Sequence, residues 1–159
     1  MKIRSITYFC NPQWPLDEGI LQSAGEFIAR AQPAYEKAGY EVQTVRLATV
    51  PFPSLINPLS ASEALSFAQA LEEAAGALGF NYIAIGPALP SAPESYAILP
   101  EILQGTENIF ASGLMSSAET GISIPAVNAC AKIIHQLGPM DANGFSNLYF
   151  AALANVPHG

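Results

Sequence analysis

Arg46 is the residue of this sequence whose type and position best fit ligand binding. It lies near the carboxyl end of a predicted strand, residues 41–48, that is otherwise apolar. An unpaired guanidinium group is costly in a protein interior, and it binds a carboxylate or a phosphate through two parallel hydrogen bonds. The alternative is a structural pair with an internal carboxylate, or with carbonyl groups at the end of the strand.

A polar loop between a predicted strand and a predicted helix offers hydroxyl groups to an anion. Ser116, Ser117 and Thr120 precede a helix whose N-cap is predicted at Ser123, and helix N-termini bind anions. Glu119 would repel an anion, and no lysine lies in the loop. The glycine patterns of nucleotide-binding loops are absent from the sequence. A capped loop without a ligand is therefore the alternative.

Cys10 ends the first predicted strand and has the residue type of a nucleophile, with His135 or His158 as its base. The sequence does not place these residues relative to one another, and a small buried thiol is the alternative for Cys10. The spacing of Cys10, Cys130 and the two histidines is not that of a metal site. The sequence thus predicts no metal centre, names no cofactor, and leaves open whether the protein is an enzyme.

The carboxyl ends of the strands are where these groups are expected to meet, because ligands of parallel α/β sheets bind there. Asn11 follows the first predicted strand and Asn155 follows the fifth. With Arg46 and Ser116 they make up the predicted ligand-binding set. The adjacent acids Glu72 and Glu73 lie on a predicted helix, and we interpret them as part of its solvent-exposed face.

Five strands that alternate with four helices are predicted to position these residues. Short uncharged apolar runs such as residues 82–85 are typical of buried parallel strands, and apolar stripes at helical spacing follow capping residues. The fold class is α/β, with mainly parallel strands in one domain, residues 1–159. The predicted strands are 3–10, 41–48, 82–85, 108–114 and 148–154, and the predicted helices are 17–38, 60–78, 91–103 and 123–137.

The amino-acid composition limits the classes of binding partner that we expect. Half of the residues are hydrophobic and 12% are charged, against about 25% charged in a typical soluble domain. The net charge is −7, and the absence of a Lys/Arg cluster argues against nucleic acid and anionic membrane surfaces. Two cysteines make no disulfide framework, and neither a signal peptide nor a membrane-spanning run is present. A cytoplasmic protein is expected.

Segments in consecutive order along the chain resemble one known family. They are residues 3–7 (IRSIT), 45–48 (VRLA) leading into 51–53 (PFP), 70–75 (ALEEAA) before 78–80 (LGF), 106–108 (TEN), 120–123 (TGIS) and 150–155 (FAALAN). The sequence is similar to the N-terminal part of the uncharacterised family called domain of unknown function 711. No single one of these motifs is specific to a chemistry.

The resemblance implies a pyruvate formate-lyase-like fold, a ten-stranded α/β barrel made of two five-stranded parallel halves. This chain would supply one half. The glycyl radical motif of those enzymes lies in a C-terminal region that this sequence lacks, so no radical chemistry is implied.

The fifth predicted strand, apolar on both faces, has no helix after it to cover it. Either another chain covers it or the sequence is the front part of something longer, and we expect self-association into a homodimer or higher oligomer. The leading functional hypothesis is a small-molecule-binding or enzymatic domain with its pocket at the strand carboxyl ends. The alternative is a structural or regulatory assembly module without chemistry of its own.

Overall fold

The computed structural model describes residues 1–118 and 121–156. Five parallel strands form its central sheet, in the same order in space as in sequence. This confirms the predicted α/β fold. The strands are β1 (Ile6–Cys10), β2 (Val45–Thr49), β3 (Tyr82–Ala88), β4 (Ile109–Leu114) and β5 (Phe150–Leu153).

Four α-helices connect these strands within the described residues. Asp17 caps the first through hydrogen bonds from the backbone N–H groups of Gly19 and Ile20, and Ser60 and Ser123 cap the second and fourth, as predicted. The third begins later than predicted because Ser91 does not cap it; Pro93 precedes its first turn instead. The helices are α1 (Glu18–Lys37), α2 (Ala61–Ala77), α3 (Glu94–Gln104) and α4 (Ile124–Leu137).

The consecutive strand order determines where the helices lie. Parallel strands are joined by right-handed crossovers, and crossovers that always step in the same direction place every helix on the same face of the sheet. Alternate strand residues agree with this arrangement, because Val45, Leu47, Ile83 and Ile85 are buried in one core with the helices. Their neighbours in sequence point to the opposite face.

The third strand is longer than its sequence predicts. Gly86-Pro87 was expected to end it at residue 85, yet β3 continues to Ala88. The continuation depends on Gly86, whose φ of +74° suits glycine and whose missing Cβ would stand 2.8 Å from the Pro51 Cα. The pairing register with β4 shifts between Ala84 and Pro87, so the strand passes the proline as an irregularity in the ladder.

The buried stripes of two helices are rotated relative to the stripes that helical spacing predicts, which include Phe27 in the first helix and Ile134 in the fourth. In α1 the buried residues are Leu21, Ala24, Gly25 and Ile28, whereas Phe27, predicted to be inside, is 42% exposed. In α4 the buried residues include Ile133 rather than Ile134. Pro33 and Pro100 lie within continuous helices. No helix of the described residues is long and apolar enough to cross a membrane.

Candidate functional site: the open face of the sheet

The face of the sheet opposite the helices, here called the open face, has the most distinctive chemistry of the described residues. Phe9 on β1 is 77% exposed there, and Leu148, just before β5, is 67% exposed. A large apolar surface that stays in water marks an interaction or ligand site. Strand alternation and register assign to the open face Thr7, Phe9, Arg46, Ala48, Tyr82, Ala84, Pro87, Phe110, Ser112, Leu114, Ala151 and Leu153, of which Ala48 and Leu114 are buried.

A row of aromatic rings crosses the open face. The Tyr82 and Phe110 ring centroids are 5.3 Å apart in an edge-on arrangement, and the Phe110 and Tyr149 centroids are 4.9 Å apart. The Arg46 guanidinium carbon lies 5.6 Å from the Tyr82 ring centroid, within the range of a cation–π contact. Arg46, Tyr82, Phe110 and Tyr149 therefore form a continuous series, here called the aromatic row.

Arg46 lies at the opposite end of its strand from the one predicted. It is the second residue of β2, so it sits about 10 Å before the carboxyl end at a rise of about 3.3 Å per residue. The strand begins only at Val45 because residues 41–42 pair separately with residues 2–3. Arg46 is thus not part of a carboxyl-end site, although the open face brings it beside Tyr82.

The guanidinium of Arg46 lacks a carboxylate partner within residues 1–118 and 121–156. Among the described residues it takes part in no ion pair, and its Nε atom is buried without a hydrogen-bond acceptor. The internal carboxylate of the structural alternative is therefore absent from the described part of the chain. A desolvated, unpaired charged group is costly in a folded protein.

A shallow hollow lies at the other end of the aromatic row. Its volume is about 270 Å³, near the lower end of the range of about 300–1,000 Å³ that is usual for ligand pockets. Ala84, Gly86 and Ser112 are among its lining residues, with Phe110 and Tyr149. Small residues on β3 and β4 leave this space open.

Ser116 and Asn155 meet at the carboxyl ends of β4 and β5. The Ser116 hydroxyl oxygen accepts a hydrogen bond of 2.8 Å from the Asn155 backbone N–H. Ser116 is 4% exposed, and Asn155 adopts a left-handed φ of 56°, which asparagine tolerates better than most residues. This contact ties two loops together, so part of the hydrogen-bonding capacity of Ser116 is already used.

Asn11 is separate from that pair. Its side-chain oxygen accepts a hydrogen bond from the backbone N–H of Gln13, which closes a turn after β1. Four strand spacings separate the ends of β1 and β5, about 19 Å at about 4.8 Å each. Of the four predicted ligand-binding residues, the structure brings together only Ser116 and Asn155.

The candidate nucleophile has the environment of a structural thiol. Burial raises the pKa of the Cys10 thiol, so at neutral pH it is protonated and a poor nucleophile. His135 is exposed on α4, and His158, like Glu119 and Thr120 of the polar loop, lies outside the described residues. No cluster of three or more potential metal ligands occurs among the residues that the structure describes.

The aromatic row was not predicted from the sequence. Tyr82 and Phe110 lie on strands that read as apolar on both faces, so alternation alone does not reveal which face is uncovered. The consecutive order of the strands, with one-handed crossovers, is the property that would have distinguished the two faces.

The model of the family described as "Uncharacterised ACR (DUF711)" matches residues 1–159. The chain belongs to this family. The resemblance seen in the sequence is thereby confirmed.

Curated relatives are named UPF0210 proteins. One from Methanopyrus kandleri is 27% identical over 151 residues, covering 88% of this chain and 33% of the relative. Another from Pyrobaculum arsenaticum is 31% identical over 142 residues, covering 82% and 31%. A third from Halothermothrix orenii is 26% identical over 146 residues, covering 87% and 32%. The chain spans about a third of the length of these relatives, and their names state no activity or ligand.

Proposed function

We propose that this chain is a small-molecule-binding α/β module whose site is completed by self-association through the open face. The observation that carries the proposal is the uncovered apolar surface of a sheet whose helices all lie on the other side. Five strands of about five residues make a face of about 24 by 17 Å, which is as large as the biggest apolar patch of a typical monomer. The proposal includes no catalytic step.

The occupant that we propose for the open face is a second copy of this chain. In the longer relatives, about two-thirds of the polypeptide lies outside the match and is available as a cover. When the 159-residue chain is alone in solution, a second copy of the chain is the polypeptide that can cover the open face. Two five-stranded sheets brought together by a two-fold axis would form the ten-stranded, pyruvate formate-lyase-like barrel that the family resemblance implies.

Sedimentation velocity at micromolar concentration tests the self-association. We expect a particle of twice the 16.8 kDa chain mass, and we expect Phe9→Lys to sediment as a monomer. Phe9 is largely exposed in the single chain, so the substitution should change its folding stability by less than about 0.5 kcal/mol. The matched control is Ile134→Lys, at an exposed position of α4 on the helix side of the sheet, which should leave the dimer intact.

Two results would reject the assembly. One is a wild-type chain that stays monomeric over the micromolar range. The other is a dimer that Phe9→Lys weakens no more than Ile134→Lys does, since the interface would then lie elsewhere on the molecule.

The corner at the carboxyl ends of β4 and β5 is a second candidate for the ligand site. The contact between Ser116 and Asn155 favours it, because it brings two strand ends together where ligands of parallel sheets bind. Asn155→Gly removes the side-chain amide and keeps the left-handed backbone. A compound that raises the Tm of the native chain, but not of Asn155→Gly, would support this corner over the open face.

A cytoplasmic location belongs to the same proposal. Cys10 and Cys130 are both free thiols in the structure, which is the usual state of cysteines in reducing compartments.

A further inference from the structure

We propose that Arg46 and the aromatic row form a subsite for an organic carboxylate, with the carboxylate on the guanidinium and a flat apolar group over Tyr82 and Phe110. The inference deepens the proposed function, because it names the class of ligand that the associated open faces would enclose. It rests on the proposed function only for the strength of binding, because a second copy would exclude water from the site.

Charge distribution is the first observation behind this subsite. The sequence has 13 acidic and 6 basic residues, yet the open face as the structure describes it carries Arg46 and no acid. Within the residues that the structure describes, the positive charge of the open face is therefore uncompensated.

The state of the Arg46 side chain is the second observation. Its Nε atom is already buried and makes no hydrogen bond, while its two terminal nitrogens are not among the buried unpaired atoms. An anion therefore reaches the end of the guanidinium, where two parallel N–H donors match the two oxygens of a carboxylate.

Self-association should increase the stabilisation that a bound anion provides. A second copy brings another Arg46 and, within the described residues, no carboxylate on its own open face. Two guanidinium groups in a shared, drier space repel one another more than they do in water. A bound anion on each would remove that repulsion, so the dimer and the ligand should stabilise one another.

The aromatic row indicates which chemical group should be attached to the carboxylate of the ligand. Tyr82 lies under the guanidinium, with Phe110 next to it at 5.3 Å between ring centroids. These rings offer apolar contact to a flat group that extends from the carboxylate along the row. A phosphate ion would satisfy Arg46 equally well but would leave the rings without contact, which separates the two kinds of anion.

The test uses 3-phenylpropanoate as the probe and 3-phenylpropan-1-ol as its neutral counterpart, at constant ionic strength. Binding to the full chain is followed by the backbone amide NMR shifts of Tyr82 and Phe110. We expect saturable shifts with the carboxylate and weaker ones with the alcohol. In Arg46→Met the dissociation constant should rise about tenfold or more, the equivalent of a lost charge-assisted hydrogen bond.

The matched control is Arg30→Met, which removes an equal charge from the exposed side of α1. It should bind the probe as the native chain does. The proposal is overturned if the carboxylate causes no saturable shift at these residues, or if Arg46→Met and Arg30→Met bind it equally. If inorganic phosphate binds as tightly as 3-phenylpropanoate, the assignment of the aromatic row is overturned.

Sedimentation of the same samples keeps the two proposals distinct. A dimer that does not bind the probe retains the assembly and rejects the carboxylate subsite. A monomer that binds the probe, and loses it in Arg46→Met, retains the subsite and rejects the assembly.

Discussion

At the scale of single residues, Gly113 shows how closely the helix-side core is packed. It lies on β4 between α3 and α4, and a Cβ added there would stand 2.6 Å from the Cys130 Sγ and 3.2 Å from both the Phe150 Cζ and the Tyr96 Cε1. All three neighbours are buried. Burial raises the pKa of the Cys130 thiol, and burial together with the neighbouring Cys130 raises the pKa of the Tyr96 hydroxyl, as expected where desolvation disfavours the charged form.

Gly113→Ala should destabilise the fold by about 1–3 kcal/mol, because a methyl group has to displace buried side chains. The matched control is Gly76→Ala in α2, where an added Cβ meets nothing within 4 Å. That substitution should stabilise the fold by up to about 1 kcal/mol, since alanine favours the helix. Urea denaturation at fixed protein concentration measures both. Equal effects of the two substitutions would contradict the packing described here.

The sequence predicted the residues of the site less well than the residues of the core. Arg46 was recognised as unusual because a charge on an apolar strand is visible in the sequence. Its position was wrong by most of a strand length, since nothing local shows that residues 41–42 pair apart from β2. Its neighbours Tyr82 and Phe110 come from two other strands, and their contact depends on register, which apolar alternation does not define.

At the scale of secondary-structure elements, the side chain of Glu72 on α2 binds the backbone immediately before β4. One carboxylate oxygen of Glu72 accepts hydrogen bonds from the backbone N–H groups of Glu107 and Asn108. The sequence had grouped Glu72 with Glu73 as a solvated face. The structure corrects this for Glu72, because its partners lie 35 and 36 residues away and cannot be identified from local spacing.

Glu72→Ala should lower the free energy of unfolding by about 1–2 kcal/mol, since two backbone donors lose a charged acceptor. Glu73→Ala removes the same charge from the same helix at an exposed position and should change it by less than about 0.5 kcal/mol. Thermal unfolding of the two variants side by side is the measurement. A loss in Glu73→Ala as large as in Glu72→Ala would assign the effect to net charge rather than to these hydrogen bonds.

The starts of helices were predicted correctly where local chemistry determines them. Asp17, Ser60 and Ser123 precede helices as expected, because a short polar side chain satisfies free N–H groups of the first turn. Prediction failed at residues 86–87, where a positive-φ glycine carries the strand past a proline. That outcome depends on the approach of Pro51 from another segment, which the sequence does not show.

At the scale of the whole molecule, the arrangement of the helices is the property from which the rest follows. A sheet whose strands are consecutive in sequence receives its helices on one side, and its other side stays open. Among the described residues, the strand positions of the open face include no acid, while Arg46 and the aromatic row lie on this face. We propose that a second copy of this chain covers the open face.

The protection of Phe9 from solvent tests most directly whether a second copy covers the open face. Hydroxyl-radical footprinting with mass spectrometry reports the oxidation rate of individual phenylalanines over a series of protein concentrations. The account predicts that oxidation of Phe9, 77% exposed in the single chain, falls several-fold as the concentration rises into the micromolar range. Phe27, which is 42% exposed and contacts Tyr8 on the helix side of the sheet, should keep a constant rate. A Phe9 rate that is independent of concentration, or a protection that appears at Phe27 instead, would contradict the account.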